Sequence, residues 1–150
     1  RSFIAMLMNI QASANLYGGG HFIFRKGLFS MYKKVSTDLK FVEREIRRGN
    51  KYDAIIMDPP SYGRGPKGEI WKIEDAIYPL VQLCEQLLTE EPLFFLINSY
   101  TTGLQPAVLS YMMNTVLRKY HGKVMADEIG LPVSSNGLVL PCGASGRFEL

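Results

Sequence analysis

Only two cysteines and two histidines occur in the 150 residues, and their scarcity removes several classes of protein at once. Cys84 and Cys142 stand far apart, neither in a CxxC nor in a Cys/His cluster, so no structural zinc site is expected. His21 and His121 each sit beside glycine with no acidic or thiol neighbour, which argues against a metal role. Such cysteine usage suits a reducing, cytoplasmic setting. Long apolar runs are also missing: none approaches the roughly 20 residues of a membrane span. Phe3-Ile4-Ala5-Met6-Leu7-Met8 follows Arg1 but is too short for a signal-peptide core, and polar Asn9 and Gln11 come soon after. The chain does not begin with Met, as expected of a fragment or a processed form. No internal repeat or low-complexity tract occurs. There is no G-x-x-x-x-G-K-S/T loop, so Ile55-Ile56-Met57-Asp58 is not read as the magnesium-holding strand of a nucleotide hydrolase.

What is present describes a globular domain. Hydrophobic residues make up 47% and charged residues 21%, and the length fits one domain with a usable core. The net charge of +3 permits a nucleic-acid partner without demanding one. Phe3 to Leu16 reads as a short helix, Gly18-Gly19-Gly20 as a break, and His21 to Arg25 as strand-like. Leu39, Phe41, Val42 and Ile46 predict a helix ending at Gly49, with Glu43, Arg44, Glu45, Arg47 and Arg48 on its polar face. The group Lys40, Arg44, Arg47, Arg48 and Lys51 is a solvated face, or a support for RNA phosphates. Asp53 to Asp58 predicts a buried parallel strand and Leu93 to Ile97 a second, ending at Asn98-Ser99-Tyr100. Between them lies a helix from Trp71 or Ile73 to Leu88, with Cys84 in its apolar stripe and Pro79 expected to kink or restart it. Pro106 opens a helix to about Lys119, and Val124–Ile129 and Leu138–Leu140 are short strands forming an antiparallel edge. The order predicts an α/β, Rossmann-like, mostly parallel sheet with helices on both faces and a carboxyl-terminal antiparallel edge. Residues 1–37 are a lead-in segment and 38–150 the domain proper.

Chemistry concentrates at Asp58-Pro59-Pro60-Ser61-Tyr62, where an apolar strand stops on a carboxylate, two prolines, a hydroxyl and an aromatic ring. Neither proline donates to a sheet ladder, and Pro60 holds Pro59 extended, so the loop is stiff. It lies at the carboxyl end of a strand, where open α/β sheets bind ligands. Acceptors beside an aromatic face suit a planar, amino-bearing guest such as a nucleobase. Gly63-x-Gly65-x-x-Gly68 follows, but it starts too far beyond the strand for a dinucleotide fingerprint, and Pro66 removes an amide that would face phosphate. It reads instead as a surface loop or lid, with Arg64 and Lys67 placed to touch phosphates.

Asp58-Pro59-Pro60-Ser61-Tyr62 resembles the D/N-P-P-Y/F loop of class I, Rossmann-like S-adenosylmethionine-dependent methyltransferases that modify amino groups. Lys40 to Asp75, Leu93 to Gly103 and Gly130 to Arg147 extend the resemblance to bacterial ribosomal-RNA large-subunit methyltransferases, over about 110 residues from Asp38. The resemblance implies S-adenosyl-L-methionine as cofactor and RNA, ribosomal in kind, as partner. It implies a catalytic set of Asp58, Pro59, Pro60 and Tyr62, with Asp58 and Pro59 also bordering the donor. Ser61, Arg64, Asn98, Ser99 and Tyr100 would contact the substrate. Asp58 and the Pro59 carbonyl would accept hydrogen bonds from an exocyclic amine, and Tyr62 would stack on a flipped or single-stranded base. Cytosine C5 methylation needs a cysteine nucleophile at the end of the next strand, where this chain has Asn98-Ser99-Tyr100. Cys142, in a Pro-Cys-Gly turn, is the freer thiol. The family's glycine-rich loop and ribose-binding acid are not recognisable before Asp53, so the first half of the cofactor fold is expected to be missing. The alternative is a non-catalytic RNA-binding fragment without a donor pocket.

Overall fold

A computed structural model describes residues 3–6 (backbone alone), 39–64 and 68–150. Its elements in order are β1 (Phe3–Met6), α1 (Leu39–Arg47), β2 (Ala54–Met57), β3 (Tyr62–Arg64), β4 (Ile70–Lys72), α2 (Ile73–Glu85), β5 (Phe94–Ser99), α3 (Pro106–Val116), β6 (Lys123–Pro132) and β7 (Val139–Glu149). The main sheet runs β1-β2-β5-β7-β6, and β3 and β4 form a separate hairpin. β1, β2 and β5 are parallel, while β7 is antiparallel to both β5 and β6. The expected mixed sheet is therefore present, with β7 inserted between the parallel part and the β6 edge.

Residues of β5 alternate in burial, while β2 is buried at Ala54, Ile55 and Met57 with only Ile56 partly open. Phe95, Ile97 and Ser99 of β5 are buried, whereas Phe94, Leu96 and Asn98 are half-buried. The buried set joins Ile55 and Met57, Phe148 of β7, and the apolar stripes of α1, α2 and α3 in one core. The three described helices thus pack on one face of the sheet, where helices on both faces were expected; among the described residues none lies on the other face. Across it Ile55 pairs with Phe95 and Phe95 with Phe148, a ladder of large side chains closed to water.

Several sequence expectations are corrected. Phe3 to Met6 is a strand paired with Ala54 to Met57, not the start of a helix. So short an apolar run carries no period that separates the two. The rest of that expected helix and the strand at 21–25 lie outside the described residues. α2 runs unbroken through Pro79. The carbonyl that Pro79 leaves without a partner belongs to Asp75, and both positions are exposed, so water can serve it. Trp71 lies in β4, two residues ahead of the helix. The terminal strands span ten and eleven residues, well beyond the short pieces expected.

Glu45 is the most instructive departure. Placed on the polar face by its charge, it is only 2% exposed, because it falls three and four residues after Val42 and Phe41 on the buried stripe. Its carboxylate accepts hydrogen bonds from Tyr52 Oη (2.5 Å), Asn50 Nδ2 (2.6 Å) and Arg48 Nη1 (2.9 Å). Burial pushes the carboxyl up, but those bonds and the Arg48 charge outweigh it and hold the pKa below its ordinary value. The stabilisation is accordingly full above about pH 4.3, the unfolded value, and is lost as pH falls through the lower folded value. In urea titrations E45Q should lose stability at pH 7, and the gap to the parent should shrink below about pH 4. A gap independent of pH would contradict the ionised network.

Candidate functional site

Asp58 follows directly on the last paired residue of β2 and is half-buried. No described residue donates a hydrogen bond to its carboxylate, and burial raises its pKa above the ordinary range. Pro59 is buried, and the group on it that can accept a hydrogen bond is its backbone carbonyl. The next two carbonyls are already engaged: Trp71 Nε1 donates to Pro60 O at 2.7 Å, and Ile73 N to Ser61 O at 3.1 Å. Pro59 O accepts no bond among the described residues. The loop is therefore braced from behind by β4 and α2, with one carboxylate and one carbonyl left over. Ser61 and Tyr62 are exposed, Tyr62 at 51%, so the corner is open.

The neighbouring loop is tied to the same corner. Ser61 Oγ and Thr101 Oγ1 lie 2.6 Å apart, joining the ends of β2 and β5. Asn98, on the sheet face away from the helices, accepts from Ser145 Oγ at 2.9 Å. Ser99 points the other way, is fully buried, and accepts from Thr101 N at 3.2 Å. It shapes the turn from inside. Tyr100 returns to the open side, where burial first, then the charges of Asp58 and Cys142, raise its hydroxyl. Asp58, Asn98 and Tyr100 are thus brought together on one face, while Ser99 is not. Gly143 makes this possible: a Cβ there would stand 2.3 Å from Ser99 O and 3.0 Å from Tyr100 Cδ1.

The glycine-rich stretch is not a phosphate loop off a strand. Gly63 belongs to β3 and faces Trp71, and Gly68 precedes β4 with φ +85°. Residues 65–67, Lys67 among them, lie outside the described residues. The β3–β4 hairpin, which the sequence did not reveal, exposes Tyr62, Arg64, Ile70 and Lys72, while Gly63 and Trp71 turn inward. Arg64 Nε donates to the Tyr62 hydroxyl at 3.0 Å. A groove of about 420 Å³ runs beside it, lined by Ser61, Tyr62, Lys72, Glu74, Thr101 and Thr102. A larger cavity, about 620 Å³, opens at the other end of the strands by Lys51, Leu88 and Thr89. It contains none of the corner's groups, whereas the smaller groove takes in Ser61 and Tyr62; Asp58, Pro59 and Asn98 line neither.

The two thiols separate cleanly. Cys84 is in the core, where burial pushes its pKa to about 12. Cys142 lies within β7 rather than in a turn, and its thiol donates to Ile129 O at 3.3 Å. Thr101, Trp71 and Ser145 are site residues that sequence reasoning missed. Trp71 and Ser145 act across strand pairs, which leave no local signal.

No protein-family model matches the chain, and neither does any curated protein. Solved structures do. A SAM-dependent methyltransferase from Agrobacterium tumefaciens superposes with a TM-score of 0.68 at 30% identity, covering 73% of this chain and 37% of that one. The fold is a methyltransferase fold. A candidate SAM-dependent methyltransferase from Streptococcus mutans gives 0.57 at 16% identity over 77% of this chain and 30% of its own. SMU.776, a candidate methyltransferase solved in complex with SAH, gives 0.54 at 19%, over 77% and 31%. The chain therefore spans about a third of the length of these methyltransferase structures. Among the described residues, no helix is long and apolar enough to cross a membrane.

Proposed function

We propose that the chain is the substrate-facing part of an S-adenosylmethionine-dependent methyltransferase acting on a nucleobase nitrogen in RNA, ribosomal RNA being the expected kind. The observation that carries this is the pair of acceptors at the corner, the Asp58 carboxylate and the Pro59 carbonyl, held by a loop whose other carbonyls are engaged. An aromatic amine is a poor nucleophile because its lone pair is spread into the ring. Two acceptors on its N–H groups favour a more tetrahedral, more reactive nitrogen. A carboxyl with a raised pKa also suits the proton that the nitrogen sheds after transfer. The cofactor, when bound, supplies an electrophilic methyl group on a sulfonium. The acceptor-only character of Asp58 and Pro59 O fits a cationic neighbour, and these two residues would border it. In-line transfer then rests on positioning.

Support for a nucleic acid comes from the hairpin, whose outward side alternates aromatic, apolar and cationic groups: Tyr62, Arg64, Ile70 and Lys72. Tyr62 would stack on a base presented out of its helix, and Arg64 and Lys72 would meet the phosphates on either side.

A second reading, an RNA-binding piece without a donor pocket, has in its favour that no glycine-rich donor loop is recognisable before Asp53. Isothermal titration with S-adenosylmethionine separates the two. Micromolar binding is the expected result for the enzyme, and no heat at millimolar protein would favour the binding piece.

A further inference from the structure

The geometry points to Asn98 as the residue that reads the base beside its reacting amine, with Ser145 as the residue that positions it. This rests on the reading of Asp58 as acceptor for an amine. β2 and β5 are paired up to Met57 and Ile97, so one residue further Asp58 and Asn98 stand on adjacent strands, about 4.8 Å apart. On the other flank of β5, Asn98 is paired with Ser145 of β7. The Ser145 hydroxyl donates to the Asn98 amide oxygen at 2.9 Å. An amide side chain has one accepting end and one donating end. With the accepting end tied to β7, the NH2 group is turned away from that strand, on the open face shared with Asp58. No described residue accepts a hydrogen bond from it.

The corner consequently presents a carboxylate acceptor and, one strand over, an amide donor. A guest that satisfies both carries an amine next to an unprotonated ring nitrogen. Adenine and cytosine each have such an edge, and so does guanine with its 2-amine beside N3. Uracil has no amine to offer Asp58. Without Ser145 the amide could rotate by half a turn and present its oxygen, which would repel that ring nitrogen. Ser145 thus holds the amide, and in the arrangement it takes here the NH2 end is left for the guest.

The test is binding of single-stranded trinucleotides with adenosine, cytidine or guanosine at the centre, each against its analogue with the ring nitrogen beside the amine replaced by C–H (1-deaza and 7-deaza for adenine, 3-deaza for cytosine and for guanine). Affinity and the Asn98 side-chain amide resonances are followed by NMR. In the parent chain at least one deaza substitution should weaken binding about tenfold, equivalent to about 1.4 kcal/mol. The ratio should fall to about one in N98A and drop in S145A, while S145T, which keeps the hydroxyl, retains it. If the deaza analogues bind as tightly as their parents, or if S145A and N98A keep the penalty, Asn98 does not read the base. Binding that D58A still abolishes would then leave the amine-acceptor reading standing. If none of the natural trinucleotides binds, both fail together.

Discussion

Replacing Asp58 by alanine is expected to cut methyl transfer by about 10²–10⁴-fold, the usual worth of a positioned acid–base group. The melting temperature should stay where it was or rise slightly. Both halves follow from the same geometry. The carboxylate receives no hydrogen bond from a described residue, so its removal breaks none there. Its pKa is raised by burial, so in the fold the ionised form is disfavoured relative to the unfolded chain. A group of that kind adds stability only as pH falls through its folded value; at neutral pH its loss costs the fold nothing. A fall of many degrees in D58A would instead mark Asp58 as a structural cap of the loop, and the functional assignment would fail with it.

Phe95→Ala should do the reverse. Phe95 is fully buried in the strand that joins the parallel and antiparallel parts of the sheet, between Ile55 and Phe148. Truncation leaves a hole that neighbours paired on both sides cannot close. The expected cost is about 3–5 kcal/mol, which for a chain of this size lowers the melting temperature by about 10 °C or more. Below the new transition, the affinity of the folded fraction for a single-stranded trinucleotide should be unchanged, since the ring faces the helices and the corner faces away. A loss under about 1 kcal/mol would show that the ladder is not the centre of the core. Together the two variants dissociate chemistry from stability.

The parts of this fold that were legible in the sequence are those whose signal is local. β2 and β5 are buried parallel strands, so they read as apolar runs cut off by polar residues. α1 is closed two residues past Arg47 by Gly49, which has φ +69°, and α3 begins at Pro106, each a terminus with its own residue type. The parts that stayed hidden depend on partners distant in sequence. β7 read only as a short strand at Leu138–Leu140 followed by a Pro-Cys-Gly turn at Cys142. Its glycines are there because Ser99, Tyr100, Leu109 and Met113 press against the strand. The β3–β4 hairpin has three-residue arms, too short for a period to show. Glu45 was assigned by its charge when its place on the helix decided otherwise. In the candidate site the reactive groups were visible as residue types, whereas Trp71, Thr101 and Ser145, which hold them, emerged only from contacts across the fold.

The central claim is that the corner aims two oxygen acceptors at a nitrogen and thereby selects the atom that is methylated. The most direct measurement is transfer of label from S-adenosylmethionine carrying a tritiated methyl group to unmodified ribosomal RNA, followed by nucleoside analysis. Label is expected on an amino nitrogen of a base, absent when D58A replaces the parent. Label on a base carbon or a ribose oxygen, or label undiminished in D58A, would contradict it.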